Sequence, residues 1–475
     1  MKLLVTNIGI LAGIGHEGKR CLRGAEMSQL NTIENAYLYV ENGRIVSYGP
    51  RIDTPQVGRS TLVVDAEGGT VMPSFCDSHT HVVYAGSREG EFVDKIRGLS
   101  YAEIAKRGGG ILNSADRLHE LSEEELYEQA MKRVDEVIRK GTGAMEIKSG
   151  YGLNLEDELK MLRVIRRIKE IAPVKVVANF LGAHAVGREY AGRQAEYVDH
   201  IINDMLPAVA EEGLADFIDV FCDEDFFTPD ETRRLLQAGA KYGLRGKIHG
   251  EELAVSGGVE VGVECNALSV DHLEAMDDHD IELLKDAETM PTALPGTSFF
   301  LNMPFAPGRK MIDAGLPMAI ASDYNPGSTP SGDMKFAVSL ACIKMRLMPA
   351  EAINAATINS AYAMGLSEEY GSITVGKVAN FYITDYSVNR LYPLRIHHTY
   401  YSPSIPQWRR ICAINIQQSH CPHSQQWDFV FPSLILPNRK AHLFNSTLFL
   451  GFAISSHNLS HNLLHASQTL LNVKI

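Results

Sequence analysis

From residue 71 onward the chain alternates short β-branched runs with amphipathic helical segments, and no other feature restricts its fold so tightly. "VMPSFCDSH" leads to "SEEELYEQAMKRVDEVIRKG", and "GAMEIKSG" leads to "LEDELKMLRVIRRIKEIAP". "VKVVANFLGAH", "DFIDVFCDE" with "TRRLLQAGAKYG", "RGKIHGEE", "ALSVDHLEAM", "TMPTALPG" and "PMAIASDYNPGS" continue the series. Strand followed by helix, repeated about eight times, predicts parallel βα units closing into a (β/α)8 barrel of TIM type. A doubly wound open sheet is the alternative. It fits less well, because no glycine-rich phosphate turn follows the first strand.

At 475 residues the chain is longer than one hydrophobic core ordinarily serves, so a second, smaller domain is expected. Residues 1–70 read as β. "AYLYVENGRIVSYGP" is two alternating runs joined by Asn42-Gly43, a strong hairpin signal. "MKLLVTNIGILAG" mimics an export signal, but Thr6 and Asn7 break its apolar run, and it reads as a first strand. The net charge of −13 argues against a nucleic-acid partner, which calls for a basic face. No apolar run reaches the roughly 18 residues of a membrane helix. Seven scattered cysteines without a CxxC pair predict free thiols and a reducing, cytoplasmic setting. Beyond Asp385 the composition breaks. Residues 386–475 hold one acidic residue, seven basic ones, a single glycine and eight of the 17 histidines. This segment is expected to be an atypical, poorly ordered tail.

Active sites of βα barrels lie at the C-terminal ends of the strands, and that rule filters the histidines. His79, His81, His184, His249, His272 and Asp323 each close a strand-like run, with His79 and His81 sharing a face as alternate residues. One histidine in such a place is more often a hydrogen-bonded core residue; six metal-capable groups in one orientation are not. Three imidazoles and a carboxylate suit zinc or iron, with a position left for water. A metal there makes water a nucleophile near neutral pH. Glu252, three residues after His249, is placed to shuttle protons, whereas Glu251 reads as solvated. Arg88 and Tyr151 fall in loops at the barrel top, and an arginine there can clamp a carboxylate with two prongs. "NPGS" offers Asn325 and the backbone at Gly327 and Ser328, although its simplest reading is a turn.

These stretches carry a resemblance. "DSHTH", "KIHGEE", "VDHLE" and "ASDYNPGS" resemble the metal-site motifs of the amidohydrolase superfamily. More narrowly, "DSHTHVVYAGSREGEF", "EIKSGYGL", "FLGAHAVG", "KIHGEEL" and "ATINSAYAMGL" resemble the imidazolonepropionase family over residues 1–385. The resemblance implies hydrolysis of 4-imidazolone-5-propanoate to N-formimidoyl-L-glutamate in histidine degradation. It implies one divalent metal, zinc or iron, on His79, His81, His249 and Asp323. It implies Arg88, Tyr151, His184 and Glu252 as substrate contacts, with Asn325, Gly327 and Ser328 around the product. Lys148 matches the bridging lysine of binuclear relatives, but the resemblance implies a mononuclear site and so no metal on it. Asp323 with His272 then orients the water and takes its proton, and Glu252 protonates the departing ring nitrogen. "GSITVGKVANFYITD", within residues 369–385, resembles a strand returning from the barrel (71–368) to the N-terminal β domain. The small domain is thereby expected to be a β-sandwich built from both chain ends. The family is also dimeric, implying a homodimer.

Two rival readings remain at this point. One is another cyclic-amide hydrolase or nucleobase deaminase of the same superfamily; Arg88 weighs against it, since a nucleobase has no carboxylate to clamp. The other is a non-catalytic barrel scaffold, against which the complete ligand set stands.

Overall fold

The structure is a computed structural model that describes residues 1–99, 103, 107, 109–384 and 414–415. Eight parallel strands form the barrel sheet: β6 (Phe75–Asp77), β7 (Thr142–Lys148), β8 (Lys175–Ala183), β9 (Phe217–Cys222), β10 (Arg245–Gly250), β11 (Ser269–His272), β12 (Met290–Ala293) and β13 (Ala319–Ile320). Each pairs with the next in chain order. The seam between β13 and β6 closes beyond the strands themselves. There Thr80 bridges Tyr324, His81 N donates to Tyr324 O (2.9 Å), and Asp323 N donates to His79 O (3.0 Å). Closure is thus made by the backbone of the residues that carry the chemistry.

The surrounding helices form for local reasons that the sequence states. The helix Glu123–Arg139 starts at a capping box between Ser122 and Glu125, and Pro229–Ala240 at one between Thr228 and Glu231. Asn154 caps Leu155–Ile171 by accepting from Asp157 N. In the first of these helices Leu126, Ala130, Val134 and Val137 are buried, a stripe at helical spacing laid against the barrel. Inside the barrel the usual apolar filling is interrupted. Glu146, Lys148, Asp219, Lys247 and Asp271 are all buried on its strands, and that charged layer floors the site described below.

The second sheet is mixed. Its order runs β15 (Ile414–Asn415), β14 (Asn380–Thr384), β5 (Thr70–Pro73), β1 (Lys2–Ala12), β2 (Thr32–Glu41), β3 (Arg44–Pro50), with β4 (Thr61–Asp65) also on β1. β1 serves two neighbours on one edge: residues 2–6 pair with β4 and residues 10–11 with β5. A register shift between Val5 and Ile8, with Asn7 at φ 51°, separates the halves. The Asn42-Gly43 turn closes the hairpin at Glu41–Arg44, both residues at positive φ. β14 comes back from beyond the barrel and pairs antiparallel with β5, so this sheet is assembled from both ends of the chain. Asn380 fastens it to the barrel: its Nδ2 donates to Gly143 O (2.8 Å), and its carbonyl accepts from Ser74 N. Of the tail 386–475, Ile414 and Asn415 pair with β14, and the rest of what the sequence suggested for it lies outside the described residues. Among the described residues, five cysteines are free, and no helix is long and apolar enough to cross a membrane.

Candidate active site and metal centre

Three imidazoles converge at the mouth of the barrel, with Asp323 beside two of them. His79 Nε2 and His81 Nε2 are 3.2 Å apart, and Asp323 Oδ1 stands 3.5 Å from the first and 3.4 Å from the second. A nitrogen of His249 lies within 4.8 Å of both other imidazoles, and all three histidines are buried. A tetrahedral ion with bonds of about 2.1 Å needs donors about 3.4 Å apart, the spacing His79, His81 and Asp323 show, and His249 completes a three-imidazole group suited to one divalent ion. His249 Nε2 has no hydrogen-bond partner and little exposure, which marks it as a donor awaiting an ion. Burial, helped by Lys148 and the neighbouring imidazoles, pushes the pKa of His79 well down; burial does the same to His81 and lowers His249 against the pull of Asp219. The rings are therefore neutral, the form that binds metal.

The far nitrogens of two of these rings are tied to carboxylates. His79 Nδ1 donates to Asp271 Oδ2 (2.7 Å) and His249 Nδ1 to Asp219 Oδ1 (3.1 Å), fixing both tautomers with Nε2 toward the centre. Lys148 Nζ donates to Glu146 (2.5 Å) and Asp219 (2.6 Å), and Lys247 to Glu146 and the Ser78 carbonyl. Burial alone would raise the Asp219 carboxyl, but Lys148 and His249 hold it well below the carboxylate range. Burial alone would likewise lower Lys148, yet Asp219, Glu146 and Asp271 outweigh it and raise its pKa above the ordinary ammonium value. Lys148 is an ion-paired cation beneath the centre and carries no free electron pair to bridge metals.

The strand-end rule puts the six groups together, though not by the geometry it assumed. His79, His81 and Asp323 lie past the ends of β6 and β13, in the segments whose mutual hydrogen bonds close the barrel. His184 directly follows β8, His249 is within β10, and His272 ends β11. Asp323 (φ 54°) and His272 (φ 87°) adopt left-handed backbone conformations that cost energy for non-glycine residues and concentrate at functional sites. Thr297 Oγ1 donates to Asp323 Oδ2 (2.6 Å), leaving Oδ1 for the centre.

His184 Nδ1 donates to Gly150 O (2.9 Å), and its ring stacks on His81 with centroids 5.2 Å apart. Burial drives its pKa to about 3, so Nε2 stays an acceptor. Tyr151 is buried with its ring 5.9 Å from His81 and 5.2 Å from His184. His272 sits between two carboxylates, with Nε2 3.6 Å from Glu252 and Nδ1 3.5 Å from Glu274. Burial opposes its charge, but Glu252, Glu274 and Asp323 together prevail and raise its pKa. Burial in turn raises the Glu252 carboxyl against the pull of His272. The loop that carries Glu252 is pinned by Asp223, which accepts the backbone N–H groups of Glu252, Leu253 and Ala254 at 2.7–3.2 Å.

Arg88 is buried at the same mouth. Its Nε and Nη1 have no hydrogen-bond partner, and Glu91 Oε2, at 3.6 Å from Nε, is too far to supply one. The guanidinium packs against Gly327, whose carbonyl also accepts from Lys95 Nζ (2.9 Å). Asn325 Oδ1 accepts from Gly327 N and Ser328 N (2.8 Å each), and its Nδ2 donates to Asp323 O and Ser328 Oγ. The Asn325 side chain is thus engaged inside its own turn, which it shapes.

One expectation is overturned. Glu251 is not solvated; it is fully buried, accepting from Val259 N (3.3 Å), with Oε2 unpartnered. Burial and the nearby Asp280 push its pKa to about 8, so it is a neutral acid packed behind the site. Positive φ at Glu251 turns its side chain away from solvent (φ 51°), a conformation the "HGEE" pattern does not disclose. Asp219, Asp271, Thr297 and Asp223 were missed by the sequence reading. For the first two a signal existed: a charged residue in the middle of a strand whose other residues are all buried.

Comparison with known proteins agrees with this geometry. Residues 70–411 match the model of the amidohydrolase family. The chain is 56% identical over 384 residues to an imidazolonepropionase of Christiangramia forsetii and 54% identical to one of Flavobacterium johnsoniae, covering 81% of this chain and 93% of each relative. An imidazolonepropionase of Geobacillus kaustophilus is 45% identical over 75% of this chain and 85% of its own. Among solved structures, a triazine hydrolase variant aligns with TM-score 0.63 at 15% identity, over 81% of this chain and 86% of its own. Guanine deaminase of E. coli aligns with TM-score 0.62 at 14% identity, over 83% and 91%. These distant structures share the fold alone. The chain belongs to the amidohydrolase family and, within it, to the imidazolonepropionases.

Proposed function

We propose that the protein hydrolyses 4-imidazolone-5-propanoate to N-formimidoyl-L-glutamate. The observation that carries this reading beyond the family is Arg88. A buried guanidinium with two unpartnered N–H donors needs an anion, and a propionate side chain supplies one with matching fork geometry. We assign the metal to His79, His81, His249 and Asp323, and propose zinc or iron, the ions suited to that donor set. When bound, such an ion supplies Lewis-acid activation of water and polarisation of the ring carbonyl.

The chain's own groups do the rest. Arg88 holds the carboxylate and so fixes the ring in one orientation, with His184 and Tyr151 forming the wall beside it. Asp323 Oδ1, aided by His272, accepts the proton of the attacking water as its oxygen bonds to the ring carbonyl carbon. Glu252, kept protonated by burial, delivers a proton to the ring nitrogen as the C–N bond breaks. Asn325 shapes the turn whose Gly327 and Ser328 border the emerging product. A cytoplasmic location, supported by the free thiols, and a homodimer, resting on the family resemblance and checked by ultracentrifugation, complete the proposal.

The test is a product assay on purified protein with the imidazolone substrate, the same ring lacking its propionate, and guanine. Formation of N-formimidoyl-L-glutamate, with much weaker turnover of the other two, is expected. Turnover of guanine or the truncated ring alone would replace this reading with that of a deaminase or general cyclic-amide hydrolase.

A further inference from the structure

The wall formed by His184 and Tyr151 stands on a loop that does not hold its shape by itself. Gly150 (φ 106°) and Leu153 (φ 55°) are both in left-handed conformations, the second costly for a branched side chain. A Cβ at Gly152 would overlap the backbone nitrogen of Glu158 and lie 2.8 Å from its Cα, so the loop presses directly on the first turn of the helix Leu155–Ile171. At that contact stands Glu158, fully buried on the helix outside the barrel and touching none of the metal-site donors. Its carboxylate accepts the N–H groups of Gly150 (3.1 Å), Gly152 (2.7 Å) and Leu153 (3.0 Å). Without it three buried backbone donors would have no partner there.

The carbonyl of Gly150 connects this loop to the site. It accepts from His184 Nδ1, which leaves Nε2 as the nitrogen facing the substrate and holds the ring in its stack with His81. We propose that Glu158 is a positioning residue: by gathering the Gly150–Leu153 backbone it fixes the Gly150 carbonyl, and through it the tautomer and aim of His184. The inference rests on the hydrolysis reading only for what that wall contacts. It acts at one remove, through Gly150, and so belongs to substrate binding rather than to the metal.

Glu158→Gln keeps the side-chain volume but turns an N–H donor toward the Gly150 N–H, which both oxygens accept in the native side chain at 3.1 Å. The zinc-loaded variant should retain one equivalent of metal while kcat/KM falls about tenfold, mainly through KM, the size of one lost charge-assisted hydrogen bond. Glu158→Asp, which keeps the charge at shorter reach, should recover part of the loss. The decisive readout does not need activity. In zinc-loaded, 15N-histidine-labelled protein, with His184 assigned by its absence in His184→Asn, the wild type should show His184 protonated at Nδ1. Glu158→Gln should weaken or split that signal, leaving the signals of His79 and His249 in place. A merely structural Glu158 would lower thermal stability and the active fraction while leaving KM and the His184 signal as in the wild type, and that result overturns the proposal. Gly152→Ala, which pushes the loop from the same contact, should reproduce the KM and His184 effects if Glu158→Gln proves insoluble; wild-type values in it would equally overturn the proposal. If the wild type turns over no imidazolone substrate, the hydrolysis reading fails, while the His184 signal still decides the role of Glu158.

Discussion

Gly327 is the position where one added carbon should cost the most substrate affinity. A Cβ there would overlap Nη2 and Cζ of Arg88 outright and stand 2.5 Å from Nε, whereas ordinary van der Waals contact begins near 3.4 Å. Gly327→Ala must therefore drive the guanidinium away by about 1 Å or more. Its seat on Gly327 and the fork it offers a carboxylate are lost together. A misplacement of that size at a positioning group costs about 10²-fold. Loss of the charge-assisted bonds, at about 1.5–3 kcal/mol each, gives about 10- to 150-fold per bond. KM of Gly327→Ala should accordingly rise about 10²-fold, with metal content unchanged, because Arg88 is not among the four donors. Steady-state kinetics with the intact substrate and with the ring lacking its propionate separates causes: the variant should lose most of its preference for the carboxylate. A KM within twofold of the wild type, or an unchanged preference, would refute the assignment of Arg88 as the carboxylate clamp.

Three further outcomes are expected. His249→Ala should lose metal and activity together, read by elemental analysis, since the set falls to three donors; full occupancy would remove His249 from the centre. Glu252→Gln should keep its metal while kcat falls by about 10²–10⁴, and wild-type turnover would exclude it as the proton donor. Glu251 titrates near 8 when folded and near 4.5 when unfolded, so its stabilising contribution is complete below about pH 4.5 and fades as pH rises through 8. Glu251→Gln should lose less thermal stability between pH 6 and 9 than the wild type does, and equal losses would show that Glu251 does not titrate in that window.

The barrel was legible because strand–helix alternation is a direct consequence of burying strands under helices, and it repeats along the chain. The His79/His81 pair was legible for a reason the pattern only half contained. Alternation suggested a shared face on one strand, but the two residues lie beyond β6, and their convergence comes from hydrogen bonds to Asp323 and Tyr324, about 240 residues away in sequence. Such pairing across the closing seam has no local signature. Glu251 and Glu252 show the same limit. Adjacent and chemically identical, they are separated only by backbone turns that bury one behind β10 and pin the other through Asp223. Asp219 and Asp271 could have been found, since a carboxylate inside a buried strand demands a partner, and His249 and His79 supply it. The roles of Asn325 and Glu158 required the turn geometry itself.

One measurement tests the single-ion centre most directly: hydrolysis of 4-imidazolone-5-propanoate by metal-stripped protein titrated with zinc or ferrous ion. Activity should be absent without metal, rise linearly with added ion and level off at one equivalent per chain, with no such rise in His249→Ala. Full activity in the stripped protein, or a plateau only at two equivalents, would contradict a single ion held by His79, His81, His249 and Asp323.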